Sequence, residues 1–141
     1  KKERIFDGES LFYFKKNLYI FTKSRLKNNF GQTSMYRVPA KKGAYVATLI
    51  STYKSCANNY CWITSAAISP DKKKVVLLSQ NRVLVFTDFK NDNFLSGKVK
   101  KIELTNYSQK ESIAFKDNNT VYISDERAKG EGGKLYQLKL N

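Results

Sequence analysis

Apolar and polar residues along this chain fall into short runs, with no long stretch of helical period. NLYIFTK (17–23), SMYRVP (34–39), YVATLIST (45–52), ITSAAIS (63–69), KVVLLSQ (74–80), RVLVFTDF (82–89), KVKKIELTNY (98–107), ESIAF (111–115), TVYISD (120–125) and KLYQLKL (134–140) are rich in Val, Ile, Tyr, Phe and Thr. Such residues suit the pleated surface of a strand. Turn-forming clusters separate them, among them Ser69-Pro70-Asp71, Asn91-Asp92-Asn93, Asp117-Asn118-Asn119 and Gly132-Gly133. No segment carries a convincing 3.6-residue apolar period, so the chain reads as all-β with mostly antiparallel neighbours.

The runs repeat. Glu9-Ser10-Leu11, Thr64-Ser65-Ala66 and Glu111-Ser112-Ile113 each open a strand that turns tightly into a second apolar strand. A third strand follows in every unit, and a fourth in the first two. A four-stranded antiparallel unit recurring at this interval predicts a β-propeller. Its three blades would span 7–55, 62–108 and 109–141, with an ordinary β-sandwich as the competing architecture. Three blades are fewer than the four to eight of typical rings. The chain also begins at Lys1 without Met. The expectation is therefore a partial ring, a single partial propeller domain over 1–141. Another polypeptide would complete it, either the rest of the propeller or a second copy under two-fold symmetry. A self-contained open stack would leave blade faces bare.

Composition narrows the chemistry. Among 141 residues, Lys+Arg is 26 and Asp+Glu is 12, a formal charge of +14, and His is absent. Without His there is no Ser-His-Asp or Cys-His nucleophile and no His-ligated zinc or iron. Apolar residues make up 41%, which excludes a disordered chain. No apolar run is long enough for a membrane-spanning helix. Cys56 and Cys61 flank Asn58-Asn59 in a short loop. The spacing permits a disulfide, and two free thiols are the alternative. A disulfide would imply an oxidising, extracytoplasmic compartment: periplasm, outer surface or secreted.

If the first strand of each blade lines a channel, Glu9, Thr64 and Glu111 occupy equivalent positions near one mouth. Asp7 lies two residues before Glu9, and Asp125 and Glu126 end the second strand of blade three. Carboxylates around one axis would suit Ca²⁺, which takes oxygen ligands. They would also suit an acid–base pair. The plainer role for Glu-Ser at a strand start is to satisfy backbone N–H groups between blades. Lys1-Lys2, Lys15-Lys16, Lys41-Lys42, Lys72-Lys73-Lys74 and Lys98 with Lys100-Lys101 are scattered along the sequence. That favours a solvated surface, with an anionic surface as a lesser partner, and argues against nucleic acid. The segment 127–133 is a polar turn or recognition loop. Asn106-Tyr107-Ser108 and Asn118-Asn119-Thr120 match the glycosylation sequon by coincidence.

FDGESLFYFKKNLYIFTKS, YRVPAKKGAYVATLI, WITSAAISPDKKKVVLLSQNRVLVFTDF and QKESIAFKDNNTVYISDER with GGKLYQLKL together resemble the C-terminal half of exported, six-bladed propeller proteins common in Bacteroidetes. The layout is more distantly similar to SdiA-regulated and phytase-esterase-like propellers. This resemblance implies a six-bladed ring outside the cytoplasm and no established reaction. The function expected is a non-enzymatic binding or scaffold module of an exported or cell-envelope protein. The alternative is a metal-assisted, esterase- or phosphoesterase-like propeller with Asp7, Glu9 and Glu111 around a channel metal.

Overall fold

The computed structural model describes residues 6–57 and 59–141. Eleven strands form three antiparallel sheets in chain order. The first holds β1 (Phe6–Phe14), β2 (Asn17–Ser24), β3 (Gln32–Pro39) and β4 (Thr48–Lys54). The second holds β5 (Ser65–Ile68), β6 (Val75–Leu78), β7 (Arg82–Thr87) and β8 (Lys98–Glu103). The third has three strands, with β10 (Thr120–Asp125) between β9 (Lys110–Asp117) and β11 (Leu135–Lys139). Among the described residues there is no α-helix, and so none long and apolar enough to cross a membrane.

Every sheet is an up-and-down meander because each connection is a short turn. Lys15 and Lys16 join β1 to β2 with φ of 44° and 67°. That left-handed pair gives the turn whose twist matches the flanking strands. The predicted strand over 45–52 begins only at Thr48. Its partner β3 ends at Pro39, which has no N–H to donate, and Val38 finds no partner in β4. The predicted strand over 98–107 stops at Glu103, and the Leu104 N–H turns to the carbonyl of Asn81 (2.8 Å).

The first strands of the three sheets, β1, β5 and β9, lie side by side, with β5 in the middle. The second sheet is thus covered on both faces. Its sequence shows this: β6 (VVLL) and the centre of β7 are apolar at every position and wholly buried. A strand with one wet face would alternate instead. Val75, Leu77, Leu84 and Phe86 pack against Phe12, Phe14, Tyr19, Phe21 and Met35 of the first sheet. Val76, Leu78, Val83 and Val85 pack against Ile113, Val121 and Ile123 of the third. Burying each such side chain stabilises the fold by about 1.5–3 kcal/mol. Phe94, in a single 3₁₀ turn between β7 and β8, plugs the first interface. Its ring centroid lies 5.5 Å from Phe12, 5.4 Å from Phe14, 5.1 Å from Tyr19 and 5.0 Å from Phe89.

Cys56 and Cys61 are joined by a disulfide in the link between β4 and β5. Gly31 passes so close to this link that a Cβ there would overlap the backbone of Cys56. The Gly31 carbonyl accepts the Ser55 N–H at 2.9 Å. Trp62 leaves the link by donating its indole N–H to the Ser24 carbonyl at 2.7 Å, with Phe30 edge-on at 5.3 Å. The described residues form no closed ring.

Candidate functional site

Two of the three anchor positions found in the sequence share a structural cause. In β1, register with β2 runs Gly8↔Thr22 and then Ser10↔Phe21, so Glu9 is an extra, unpaired residue. In β9, Ser112 pairs with Ser124 and Lys110 with Asp125, so Glu111 is likewise skipped. Both glutamates are β-bulge residues, and a bulge re-aims the side chain it carries. Thr64 stands just outside β5, where its N–H bonds the Leu78 carbonyl at 2.9 Å. The serine that follows each anchor faces the neighbouring sheet in one case at least. Ser65 Oγ accepts the Ile113 N–H at 3.2 Å, tying the second sheet to the third.

The carboxylates at this end are engaged locally, two by cations and two by an amide. Glu9 pairs with Lys23 at 2.7 Å, and Asp7 with Arg25. Both cations also sit over the Trp62 ring, Lys23 at 5.3 Å and Arg25 at 5.9 Å. Gln109 bridges Glu111 (3.0 Å) and Glu126 (2.9 Å) through its amide. Asp125, beside Glu126 in sequence, joins a different network. Thr64 is buried and spends its hydroxyl on the Leu78 carbonyl. The fold therefore brings Asp7 near Glu9, and Glu111 near Glu126. Among the described residues, no three His, Cys, Asp or Glu side chains converge as a metal cage would require.

Lys110 is the residue the sequence did not reveal. It is 1% exposed, in a region where all other lysines are at the surface or partly so. Its Nζ donates to the Asn106 carbonyl and to Ser108 Oγ, both at 2.9 Å. Ser108 in turn donates to Asp125 Oδ2 at 2.6 Å, which also accepts Tyr136 Oη at 2.9 Å. Asp125 Oδ1 accepts the Lys134 N–H at 2.7 Å. Burial opposes the charge on Asp125, but these donors and the Lys110 charge outweigh it and hold the carboxyl down at about 2. Burial pulls Lys110 below the ordinary lysine value, and Asp125 works against that fall. Lys110 and Tyr136 line a cleft of about 250 Å³ walled by Leu104, Ile123 and Leu138, with Asp125 behind them. A carboxylate so strongly held is a poor proton acceptor at neutral pH. The cleft can seat a small ligand against an ammonium and a phenol; it lacks a poised acid–base pair.

The opposite end of the stack has a second polar junction. Asp92, in the β7–β8 loop, accepts Tyr19 Oη at 2.8 Å and Arg37 Nη1 at 2.6 Å. Burial, then the hydrogen bond and charge of Asp92, push the Tyr19 phenol up to about 12. This junction locks the first sheet onto the second.

The two outer faces of the stack differ. The face of the first sheet turned away from the second carries Leu11, Tyr13, Leu18, Ile20, Tyr36 and Leu49 in cross-strand register. Leu11 is 58% exposed, Tyr13 57% and Leu49 54%, values far from those of a sheet face at rest in a core. The outer face of the third sheet mixes Ser112, Ser124 and Gln137 with Tyr122, over which Lys116 lies. A scan against protein-family models and a search of curated proteins both find no match to the chain.

Proposed function

We propose that this chain is a non-enzymatic binding or scaffold module, three blades of a larger exported β-propeller whose ring further sheets complete. The observation that carries the reading is the apolar outer face of β1–β4. Its residue types and register repeat those of the inner faces that bury one another. The occupant it fits is another antiparallel sheet stacked as the first sheet stacks on the second. Two features support the same reading at the other end. Ser112 is the counterpart of Ser65, and no N–H of a next first strand meets it among the described residues. The outer edge of β11 has no strand beside it there, and Leu135 on β11 is 70% exposed.

The contrast between an apolar first face and a mixed last face favours sheets from a different polypeptide segment over a second copy of this chain. Local pairing of Asp7 and Glu9 favours binding over metal-assisted hydrolysis. The disulfide fits an oxidising, extracytoplasmic setting. Hydroxyl-radical footprinting of the natively purified protein tests the reading. Leu11, Tyr13 and Leu49 are expected to be protected, while Tyr45 and Val46, also exposed, are oxidised. Full oxidation of the face in the native assembly overturns the proposal.

A further inference from the structure

Lysines that are scattered in the sequence come together in space. Antiparallel meanders put the β1–β2, β3–β4, β5–β6, β7–β8 and β9–β10 connections at one end of their sheets. Hydrogen bonds show that these ends form a common rim. Asp92 of the β7–β8 loop holds Tyr19 and Arg37, beside the first-sheet turns. The Ala40 N–H bonds the Lys16 carbonyl at 2.9 Å. In the other direction, the Asp71 N–H bonds Asn118 Oδ1 at 2.9 Å, and Lys74 Nζ reaches Asn119 at 3.1 Å.

Three hairpins on this rim each present a lysine pair: Lys15-Lys16, Lys41-Lys42 and Lys72-Lys73. All six are exposed and none has an ion-pair partner among the described residues. The rim's own aspartates are already engaged. Asp71 accepts from Ser69 and the Lys73 N–H, Asp88 pairs with Lys98, Asp92 with Arg37, and Asp117 accepts the Asn119 N–H. At the opposite rim the acids Asp7, Glu9 and Glu103 face cations instead. Among the described residues, unpaired lysines thus come two to a turn on the hairpin rim, whereas at the opposite rim the unpaired Lys27, Lys54 and Lys134 stand singly.

Backbone conformation adds a second, independent observation. Among the described residues, six other than glycine have left-handed φ, and five lie on this rim: Lys15, Lys16, Lys72, Asp88 and Asn91. The sixth, Lys129, lies at the other end. Turns of this kind ordinarily take Gly or Asn, because a Cβ is disfavoured there. Lysine occupies three of the five at a conformational cost that glycine would avoid. A third feature points to the partner. Following Lys41-Lys42-Gly43-Ala44, the β3–β4 loop carries Tyr45, 45% exposed with its Oη donating back to the Lys42 carbonyl at 3.3 Å, and Val46, 94% exposed. A basic rim with an exposed aliphatic side chain beside its lysines matches a bilayer interface, where ammonium groups meet lipid phosphates and the apolar side chain enters below them.

We propose that the hairpin rim docks on a negatively charged lipid bilayer, with Lys15, Lys16, Lys41, Lys42, Lys72 and Lys73 at the headgroups and Val46 inserted. The rim stands whether or not further sheets complete a ring. Flotation of the full chain with phosphatidylcholine vesicles, with and without roughly one third phosphatidylglycerol, tests it. Binding is expected only to the anionic vesicles and falls steeply as salt rises from about 0.05 to about 0.5 M. The triple variant Lys15→Asn, Lys16→Gly, Lys72→Gly removes charge and relieves the backbone together. It should lose on the order of 100-fold in partitioning, taking roughly fivefold per lysine. Its melting temperature should rise by roughly 2 to 4 °C or more, because left-handed strain is removed. Lys27→Gln, Lys54→Gln and Lys134→Gln remove three charges from the other rim and should change binding less than about threefold. Val46→Ser should weaken binding without changing the salt slope. Equal losses from the two triple variants, equal binding to neutral vesicles, or displacement from vesicles by duplex DNA at matched phosphate would each overturn the proposal.

Discussion

Replacing Asp125 by Ala removes the anion at the centre of the buried network around Lys110. Three hydrogen bonds to a charged acceptor disappear: those from Ser108 at 2.6 Å, Tyr136 at 2.9 Å and the Lys134 N–H at 2.7 Å. Each such bond contributes about 1.5–3 kcal/mol when desolvated, less where water replaces it. Lys110, 1% exposed, keeps only neutral acceptors, at Asn106 and Ser108. Stranding a buried charge costs about 3–5 kcal/mol, which sets the ceiling. Because the cleft admits water beside Lys110, the expected loss is about 3–4 kcal/mol, a large share of the roughly 5–15 kcal/mol of a typical domain.

Urea unfolding followed by Trp62 fluorescence, the chain's one tryptophan, and by circular dichroism measures this loss. The midpoint should fall by about 1.5–2 M. Adding Lys110→Met should recover at least half of it, since the stranded charge goes with the side chain. The pH dependence gives an independent check. The Asp125 carboxyl is held at about 2 in the fold. An unfolded Asp titrates near about 3.9. Its stabilisation is therefore complete above about pH 4 and lost as pH falls from about 4 to about 2. The variant should lack that segment of the curve. A loss under about 1 kcal/mol, or wild type and variant declining in parallel between those pH values, would refute the network as described.

Further outcomes are expected from the same structure. Phe94→Ala should lower stability by about 3–5 kcal/mol, measured by denaturant unfolding, because its ring fills the interface between the first and second sheets. Reducing the Cys56–Cys61 bond releases a very short loop and should cost about 2 kcal/mol in the same assay. The Tyr19 phenol is raised to about 12, so its stabilisation is full below about pH 10 and lost as pH rises from about 10 to about 12. Ultraviolet titration should show a tyrosine ionising at about 12, and Asp92→Ala should move that step back toward the ordinary value.

The strands and hairpins were legible in the sequence because short β-branched and aromatic runs, punctuated by turn residues, carry their own geometry. The buried runs of β6 and β7 announced a sheet covered on both sides. The repeated Glu-Ser anchor was visible as a repeat, yet its cause was not, since a bulge leaves no mark in a two-residue alternation. The same bulge at Glu111 hid Lys110. Counting back from Ile113 by twos reaches Glu111, and places Lys110 on the opposite face. Only the skipped residue turns Lys110 inward onto Asp125. Charge clustering was hidden for a different reason. Lysine pairs 26 to 31 residues apart in sequence meet on one rim because alternate turns of a meander share an end.

The central claim is that the apolar face of β1–β4 is covered by another sheet. Native mass spectrometry of the protein, purified without denaturation from its own source, tests it most directly. The account predicts a complex heavier than the 16.2 kDa chain, containing a second polypeptide segment whose removal exposes Leu11, Tyr13 and Leu49. A stable, folded and monodisperse species of 16.2 kDa would contradict it.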